Sequence, residues 1–299
     1  MATMLLGRLK TIADAVIDLS NDASQKLATD ARLLRYINAC IADVAKTGYW
    51  KTTGTLSLVA GTASYPFSTT FPTFLSLERG GSAVRDSTTN IPLILCSTRH
   101  DYNNVLLRVA TGTPRYYYHE SNALYLAPVP EAALDLLVSY TYKPTAVSSR
   151  DLKETATHWV QDSGATGHFV DDTSTAQTLG EGNDCPEIVE GLAVELTTGT
   201  FTISSITPDG EGSGEVTLSA ASVNATVNSI YDSTLTSPPW PDAYDDGLAA
   251  FFCLWKIFSS DSTHTASDKS VATYGQQYLR ELNSMVGAAL PPIVLRPYR

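Results

Sequence analysis

The sequence has few cysteines and no long apolar run, and each shortage excludes a class of protein. Its four cysteines lie far apart, without the close pairs of a zinc or redox motif: Cys40, Cys96, Cys185 and Cys253. We expect buried thiols in a reducing compartment rather than a disulfide framework. No run approaches the roughly 18–20 apolar residues of a membrane-spanning helix, and the N-terminal segment lacks a secretory cleavage site. No membrane partner is therefore expected.

The sequence also lacks the common signatures of catalysis and of metal or nucleotide binding. Its five histidines never show H-x-x-x-H or H-E-x-x-H spacing, and there is neither a Walker A loop nor a G-x-G-x-x-G after a strand. His119 stands beside Glu120 at a predicted turn, where a solvated side chain is expected. The glycine-rich loop 209–215 lacks the ligand order of a calcium loop, so ion binding there is the weaker interpretation. We predict no enzyme, no cofactor and no metal site.

Basic residues are scarce, and the shortage is concentrated in one segment. The chain has 20 basic and 31 acidic residues, a net charge of −11. Residues 150–232 hold two basic and fourteen acidic residues, or −12, which leaves +1 for the rest. A composition shift of this kind indicates a domain boundary. Because the segment is also rich in Thr, Ser and Gly with short β-like runs, residues 145–235 are predicted to be a small inserted β domain.

The clearest strand pattern lies between residues 111 and 144. Residues 115–119 supply three consecutive tyrosines, residues 120–122 have turn chemistry, and residues 124–126 return as a second strand. From residue 134 to 142 apolar and polar residues alternate, with Asp135, Ser139 and Thr141 on the polar face. The pattern predicts a three-stranded antiparallel unit with one buried face.

Two of the tyrosines must face away from that buried side. Because side chains alternate along a strand, Tyr116 and Tyr118 point opposite to Tyr117. Plain sheet packing explains them without any function. An assembly surface is the second interpretation, since tyrosine is enriched at protein interfaces.

Helical periodicity frames this β-rich part at both ends of the chain. Apolar seams predict two N-terminal helices, over residues 4–19 and from residue 30 to Gly48. Two C-terminal helices are predicted after Pro241 and after Ser267, the first opening with Asp242, Asp245 and Asp246, which favour a helix N-terminus. The first of these is apolar almost all round, which is typical of a central helix. The predicted fold class is α+β, with a four-helix bundle joined to an antiparallel β-rich part.

Three segments together resemble a known family. They are G-T-P-R-Y-Y-Y with the later P-V-P (residues 112–130), the helix 30–38 leading into L-S-L-V-A-G-T-A-S-Y-P (residues 56–66), and W-P-D-A-Y-D-D-G-L (residues 240–248). Their order and spacing resemble the head-to-tail adaptor (connector, head-completion) proteins of tailed bacteriophages. The resemblance covers roughly residues 1–144 and 236–290, the expected adaptor core, and leaves residues 145–235 unmatched.

The resemblance implies a structural virion protein rather than an enzyme. Such a protein assembles with itself into a ring, commonly a dodecamer, beneath the portal protein, and links it to a tail or nozzle protein. Genomic DNA passes through the lumen without sequence-specific binding. The expected location is the virion neck, after assembly in the host bacterial cytoplasm. The alternative is a β-rich glycan-binding or glycan-cleaving tail-associated protein acting through residues 145–235, although no carboxylate pair there stands out.

The last residues, 291–299, are predicted to form an extended docking tail. Pro291, Pro292 and Pro297 exclude a helix or a central strand. Exposed aliphatic residues are unfavourable in water, so the tail is expected to bind a partner. The candidate interface residues are Ile293, Val294, Leu295, Arg296, Tyr298 and Arg299, together with Tyr116 and Tyr118.

Overall fold

The computed structural model describes residues 5–20, 29–78, 82–153, 156–171, 175–177, 187–207, 214–260 and 268–289. They form a mixed α+β fold, which confirms the predicted class. The chain divides into two units, one of Met1–Cys40 with Ala146–Gly287 and one of Ile41–Thr145 with Ala288–Arg299.

The described residues contain six α-helices, four of them at predicted positions near the two ends. The helices are α1 (Arg8–Ser20), α2 (Asp30–Lys46), α3 (Phe67–Thr70), α4 (Arg99–Arg108), α5 (Ala250–Ser260) and α6 (Asp268–Ala289). In α1 the buried residues Leu9, Ile12 and Val16 follow the predicted seam. The short α3 was not predicted. A 3₁₀ turn (Asp242–Tyr244) and a π-helical segment (Asp245–Ala249) replace the regular helix start expected after Pro241.

The second unit contains ten short strands in three sheets. The strands are β1 (Lys51–Ser57), β2 (Ser64–Pro66), β3 (Phe74–Leu77), β4 (Val84–Asp86), β5 (Ile94–Leu95), β6 (Thr111–Gly112), β7 (Tyr116–Glu120), β8 (Ala123–Ala127), β9 (Val129–Pro130) and β10 (Asp135–Tyr142). One sheet has β10 between β1 and the strands β3 and β4, another has the order β2-β8-β7-β5, and β6 pairs with β9. A shared apolar core includes Phe67, Tyr117, Leu124 and Val138.

The predicted three-stranded unit is wrong in its third strand. The hairpin of β7 and β8 is antiparallel as expected, with Tyr118 opposite Tyr125. However, β8 pairs with β7 on one edge and β2 on the other, so it has no edge left for β10. Instead β10 pairs along its length with β1. Its polar face is buried at Ser139 and Thr141 but exposed at Asp135. The hydroxyls of Ser139 and Thr141 lie 3.0 Å and 2.8 Å from those of Thr53 and Ser76.

In the first unit six strands close into a barrel. They are β11 (His158–Ser163), β12 (Thr166–Val170), β13 (Ala193–Leu196), β14 (Gly199–Thr207), β15 (Glu215–Leu218) and β16 (Ala225–Tyr231), in the order β11-β12-β15-β14-β13-β16. Trp159, Phe169 and Ile203 fill its interior. The acidic segment is thus β-rich as predicted. That residues 145–235 form a separately folding inserted domain stays a prediction.

The apolar helix α5 packs in the same unit against α1 and the π-helical segment. Phe252, Leu254 and Ile257 are buried, as expected for a central helix. Trp255 is half-buried, with its ring stacked on Tyr278 at a centroid distance of 5.9 Å. Cys40 and Cys253 are buried in helices, as predicted, and Cys96 is buried too. Cys185 lies outside the described residues.

Candidate assembly surface

The tyrosines of β7 divide between two apolar clusters. Tyr117 is 1% exposed and belongs to the shared core of the second unit. Tyr116 and Tyr118 are half-buried on the opposite face, in a second cluster with Cys96 and Tyr102. The rings of Tyr102 and Tyr118 have centroids 6.1 Å apart. The alternation along the strand is therefore as predicted, but the second face packs against protein. An interface role for Tyr116 and Tyr118 stays a prediction.

Helix α4 is the element that covers this second face. Thr98 caps its start by accepting the backbone N–H of Asp101 at 3.1 Å, and donates its own hydroxyl to the Asp101 carboxylate at 2.7 Å. Inside the cluster the buried Tyr102 hydroxyl donates to the Leu126 carbonyl at 3.4 Å. Arg99 and Glu120 form an ion pair of 2.8 Å between the helix and the end of β7. These contacts fix α4 on the sheet and leave its outer side facing solvent.

The outer side of α4 and the neighbouring strand β5 carry an exposed apolar surface. Of twelve strongly exposed large aliphatic side chains in the described residues, five lie within residues 91–109. We call four of them the α4–β5 surface: Ile91, Ile94, Leu107 and Val109. Leu95 follows Ile94 on β5 and points to the opposite face of the sheet. Leu107 is 85% exposed. Exposed apolar patches mark sites of interaction, so this surface is the best candidate for an assembly contact in the second unit.

The strand β5 adds an open sheet edge to that surface. It pairs in parallel with β7 on one side, where the Ile94 and Cys96 N–H groups donate to the carbonyls of Arg115 and Tyr117 at 2.8 Å. It is the last strand of its sheet. An exposed apolar edge strand is a template for pairing with another chain, and native proteins normally cover or charge it. Because β5 is only two residues long, its edge offers few backbone groups for pairing, and the exposed apolar side chains are the stronger sign of a contact.

The charge on this part of the chain is positive. Arg99, Arg108 and Arg115 lie between residues 91 and 118 with a single acidic residue, Asp101. Arg108 and Arg115 are both exposed. A partner surface is thus expected to combine apolar side chains with carboxylates.

Such a combination occurs in the first unit, at a small open cavity near the barrel. The cavity has a volume of about 280 Å³ and is lined by Leu152, Leu235, Glu187, Asp232 and Thr236, among others. Glu187 forms an ion pair of 2.7 Å with Arg150 at its mouth. Hydrogen bonds from Thr234 lower the pKa of Asp232, so this carboxylate stays ionised. Leu235 is itself strongly exposed.

The titratable groups of the described residues include no cluster typical of a metal centre. No group of three or more His, Cys, Asp or Glu is placed to share a metal ion in these residues. Burial raises the pKa of the Cys96 and Cys253 thiols, which keeps them protonated and poorly nucleophilic. Within the same residues, every helix is too short or too polar to cross a membrane.

His119 differs from the sequence-based expectation of a solvated side chain. It is half-buried against Phe67 and Phe74, with ring centroids 5.5 Å and 6.0 Å away. Its Nε2 is buried and has no hydrogen-bond partner among the described residues. Burial therefore lowers the pKa of His119 below its ordinary value. Periodicity missed this environment because Phe67 and Phe74 belong to elements distant in sequence.

The predicted docking tail, residues 291–299, lies outside the described residues. Ile293, Val294, Leu295, Arg296, Tyr298 and Arg299 lie outside the described residues, as does most of the glycine-rich loop 209–215. Their interface and ion-binding interpretations stay predictions.

Comparison with protein families decides the identity of the framework. The sequence model of the SU10 adaptor protein family matches residues 8–163. The chain belongs to the SU10 adaptor protein family. The match begins at the start of α1 and ends with β11, so the α4–β5 surface of this adaptor lies inside it. Comparison with curated proteins gave no match.

Family membership confirms the resemblance to phage head-to-tail adaptors. An adaptor of this family is a structural component of the virion, placed in the neck, where it contacts portal and tail proteins. Most of the barrel lies beyond the match, so the glycan-binding alternative for residues 145–235 stays a prediction.

Proposed function

We propose that this adaptor forms a closed ring beneath the portal protein and links the portal to a tail or nozzle protein. The observation that carries the proposal is the family match over residues 8–163. The α4–β5 surface supports it, because a lone subunit would leave the apolar side chains of Ile94 and Leu107 exposed to water. Helices α1, α2, α5 and α6 form the bundle that gives the subunit its rigid frame. The adaptor assembles in the host cytoplasm and has a structural role without catalysis.

Genomic DNA passes through the lumen of this ring without sequence-specific binding. Each phosphate contact made by Lys or Arg adds affinity and would hold the duplex in place. A net charge of −11 supports a lumen with few such contacts. The ring is a dodecamer.

The tail of residues 291–299 docks on a neighbouring subunit or on the portal. Ile293, Val294 and Leu295 make the apolar contact, and Arg296, Tyr298 and Arg299 pair with acidic or aromatic groups of the partner.

The proposal is tested by co-expressing the adaptor with the portal protein of the same virus. Single-particle electron microscopy of the purified complex should show a closed adaptor ring under the portal with an open axial channel. An adaptor that does not bind the portal, or that binds as isolated subunits, would contradict the proposed function.

The tail is tested in the same assay by two variants. Deletion of residues 290–299 should give a folded adaptor that fails to join the portal. The triple substitution Ile293→Ser, Val294→Ser, Leu295→Ser keeps both arginines and should fail equally if the aliphatic residues provide the contact. Normal portal binding by the truncated adaptor would overturn the docking role.

A further inference from the structure

We propose that the ring contact joins the α4–β5 surface of one adaptor to the barrel-side cavity of the next copy of the chain. The inference rests on the proposed function, because it assigns the surfaces of the proposed ring. Leu107 of one copy enters the cavity lined by Leu152 and Leu235 of its neighbour, and Arg108 faces the acidic residues beside it.

The cavity is small enough to be filled by a single protein side chain. Its volume of about 280 Å³ lies at the bottom of the roughly 300–1,000 Å³ range of small-molecule pockets. Two of its lining residues, Leu152 and Leu235, are apolar, and Leu235 is 45% exposed. Leu107, at 85%, is the most exposed of the large aliphatic side chains in the described residues. Burying these leucines together removes the largest apolar exposure on each surface.

The charges of the two surfaces are complementary. The α4–β5 surface is flanked by the exposed Arg108 and Arg115. The cavity carries Glu187 and Asp232, of which Glu187 is already paired with Arg150. Asp232 accepts two hydrogen bonds from Thr234 at its Oδ1 but forms no ion pair within the described residues, and we assign it to Arg108. Beyond it, residues 150–232 have a net charge of −12. Complementary potentials favour this pairing and disfavour contact between two copies of the same surface.

The geometry of a ring requires two different surfaces of this kind. A contact between identical patches is satisfied by a dimer, whereas a head-to-tail contact between unlike patches continues from subunit to subunit until it closes. The α4–β5 surface and the cavity belong to different units of the chain, so each copy offers both. A second copy of the adaptor is therefore the occupant that this pair of surfaces fits.

Engineered cysteines test the contact directly. Cys40, Cys96 and Cys253 are buried, so only Cys185 needs replacement by serine to give a suitable background. Leu107→Cys and Leu235→Cys are introduced into one chain, which is assembled with the portal protein of the same virus and oxidised. A non-reducing gel should show a ladder of adaptor multimers. Either cysteine alone should give no species above a dimer, because each chain then has a single reactive thiol.

A matched control and a disruptive variant complete the test. Pairing Leu107→Cys with Leu279→Cys, which is exposed on α6, should give no ladder. Leu107→Asp should abolish the ring with an unchanged melting temperature, whereas Leu279→Asp should leave the ring intact.

The outcomes separate this inference from the function on which it rests. If the unmodified adaptor forms a ring on the portal but the 107–235 pair gives no ladder, the assigned contact is wrong and the ring remains. If Leu107→Asp subunits lose the portal and the pair gives no ladder, the occupant of the α4–β5 surface is the portal, which also overturns the inference. If the unmodified adaptor forms no ring, both proposals fail.

Discussion

Arg8 and Asp245, which are 237 positions apart in sequence, form a two-pronged ion pair. The Arg8 Nε donates to Asp245 Oδ2 and the Nη2 to Oδ1, each at 2.8 Å. The same guanidinium donates to the carbonyls of Pro238 and Trp240, and the Trp240 indole donates to Asp245 at 2.8 Å. Asp245 is 3% exposed. The pair thus fixes the π-helical segment on α1, and both ends of the chain depend on it.

Removing the Asp245 charge should strongly destabilise the adaptor. Asp245→Asn keeps the volume but removes the buried carboxylate that accepts two bonds from Arg8, which leaves Arg8 only the exposed carboxylate of Asp242 at 3.0 Å. Breaking a buried pair from one side costs about 3–5 kcal/mol, and the partial exposure of Arg8 favours the lower end. Urea unfolding measures the loss. As a control, Arg280→Met removes the exposed 3.6 Å pair with Glu281 and should cost less than about 1 kcal/mol. Equal effects of the two substitutions would show that the Arg8–Asp245 pair is not structural.

Gly167 is expected to tolerate no side chain in the barrel. A Cβ at this position would overlap the Val160 carbonyl oxygen and lie 2.7 Å from the Trp159 ring. Overpacking of this kind typically costs about 1–3 kcal/mol, so Gly167→Ala should lower the unfolding free energy by that amount. Gly214→Ala is the control, because its Cβ would meet Ile206 at an ordinary 3.5 Å. Denaturant melts in which both variants match the parent would contradict the close approach at Gly167.

His119 should make the adaptor less stable in weak acid. Burial lowers its pKa in the folded protein below the value of about 6.5 in the unfolded chain. The unfolded state therefore takes up the proton first as the pH falls. The stability associated with neutral His119 is complete above pH 6.5 and decreases as the pH falls toward and through the lowered folded pKa.

The substitution His119→Phe should reduce the slope of unfolding free energy against pH in that window. It also removes the buried Nε2 that lacks a partner among the described residues. Chemical unfolding at a series of pH values provides the measurement. The exposed His100, changed to Gln, is the matched control and should leave the slope unchanged. If His119→Phe leaves the slope unchanged, the proton taken up on unfolding does not bind to His119.

The independence of residues 145–235 gives a further prediction. Replacing residues 146–234 by a short Gly/Ser linker should leave a chain that unfolds in one cooperative transition, with a smaller denaturant m-value because less surface is exposed. Leu6 packs on Ala193 and Tyr231, which the deletion removes. The truncated chain should therefore carry Leu6→Ser, so that no apolar side chain is newly exposed at this position. Loss of a cooperative transition would show that barrel and helices form a single folding domain.

Local patterns predicted the terminal helices and several of the strands, and the order of three segments indicated the family. The spacing of Leu9, Ile12 and Val16 predicted α1, and the alternation of Leu136, Val138 and Tyr140 predicted a buried strand face. Periodicities of this kind involve residues that are close in sequence, so they can be read without knowing which elements pack together. The order of three segments likewise sufficed for the resemblance to adaptors, and the family match confirmed it.

Pairings between distant elements were decided by the tertiary structure alone. The partner of β10 depended on β8 having both edges occupied, and the burial of His119 depended on two phenylalanines from other elements. The acidic start of the helix after Pro241 suggested a favourable dipole, but Asp245 instead pairs with an arginine near the opposite end of the chain. The α4–β5 surface exists because α4 packs on Tyr116 and Tyr118 through Tyr102, Val105 and Leu106, which leaves Leu107 on its outer side. A sequence records which side chains are apolar or charged, whereas exposure and partnership follow from which edges and faces remain open after packing.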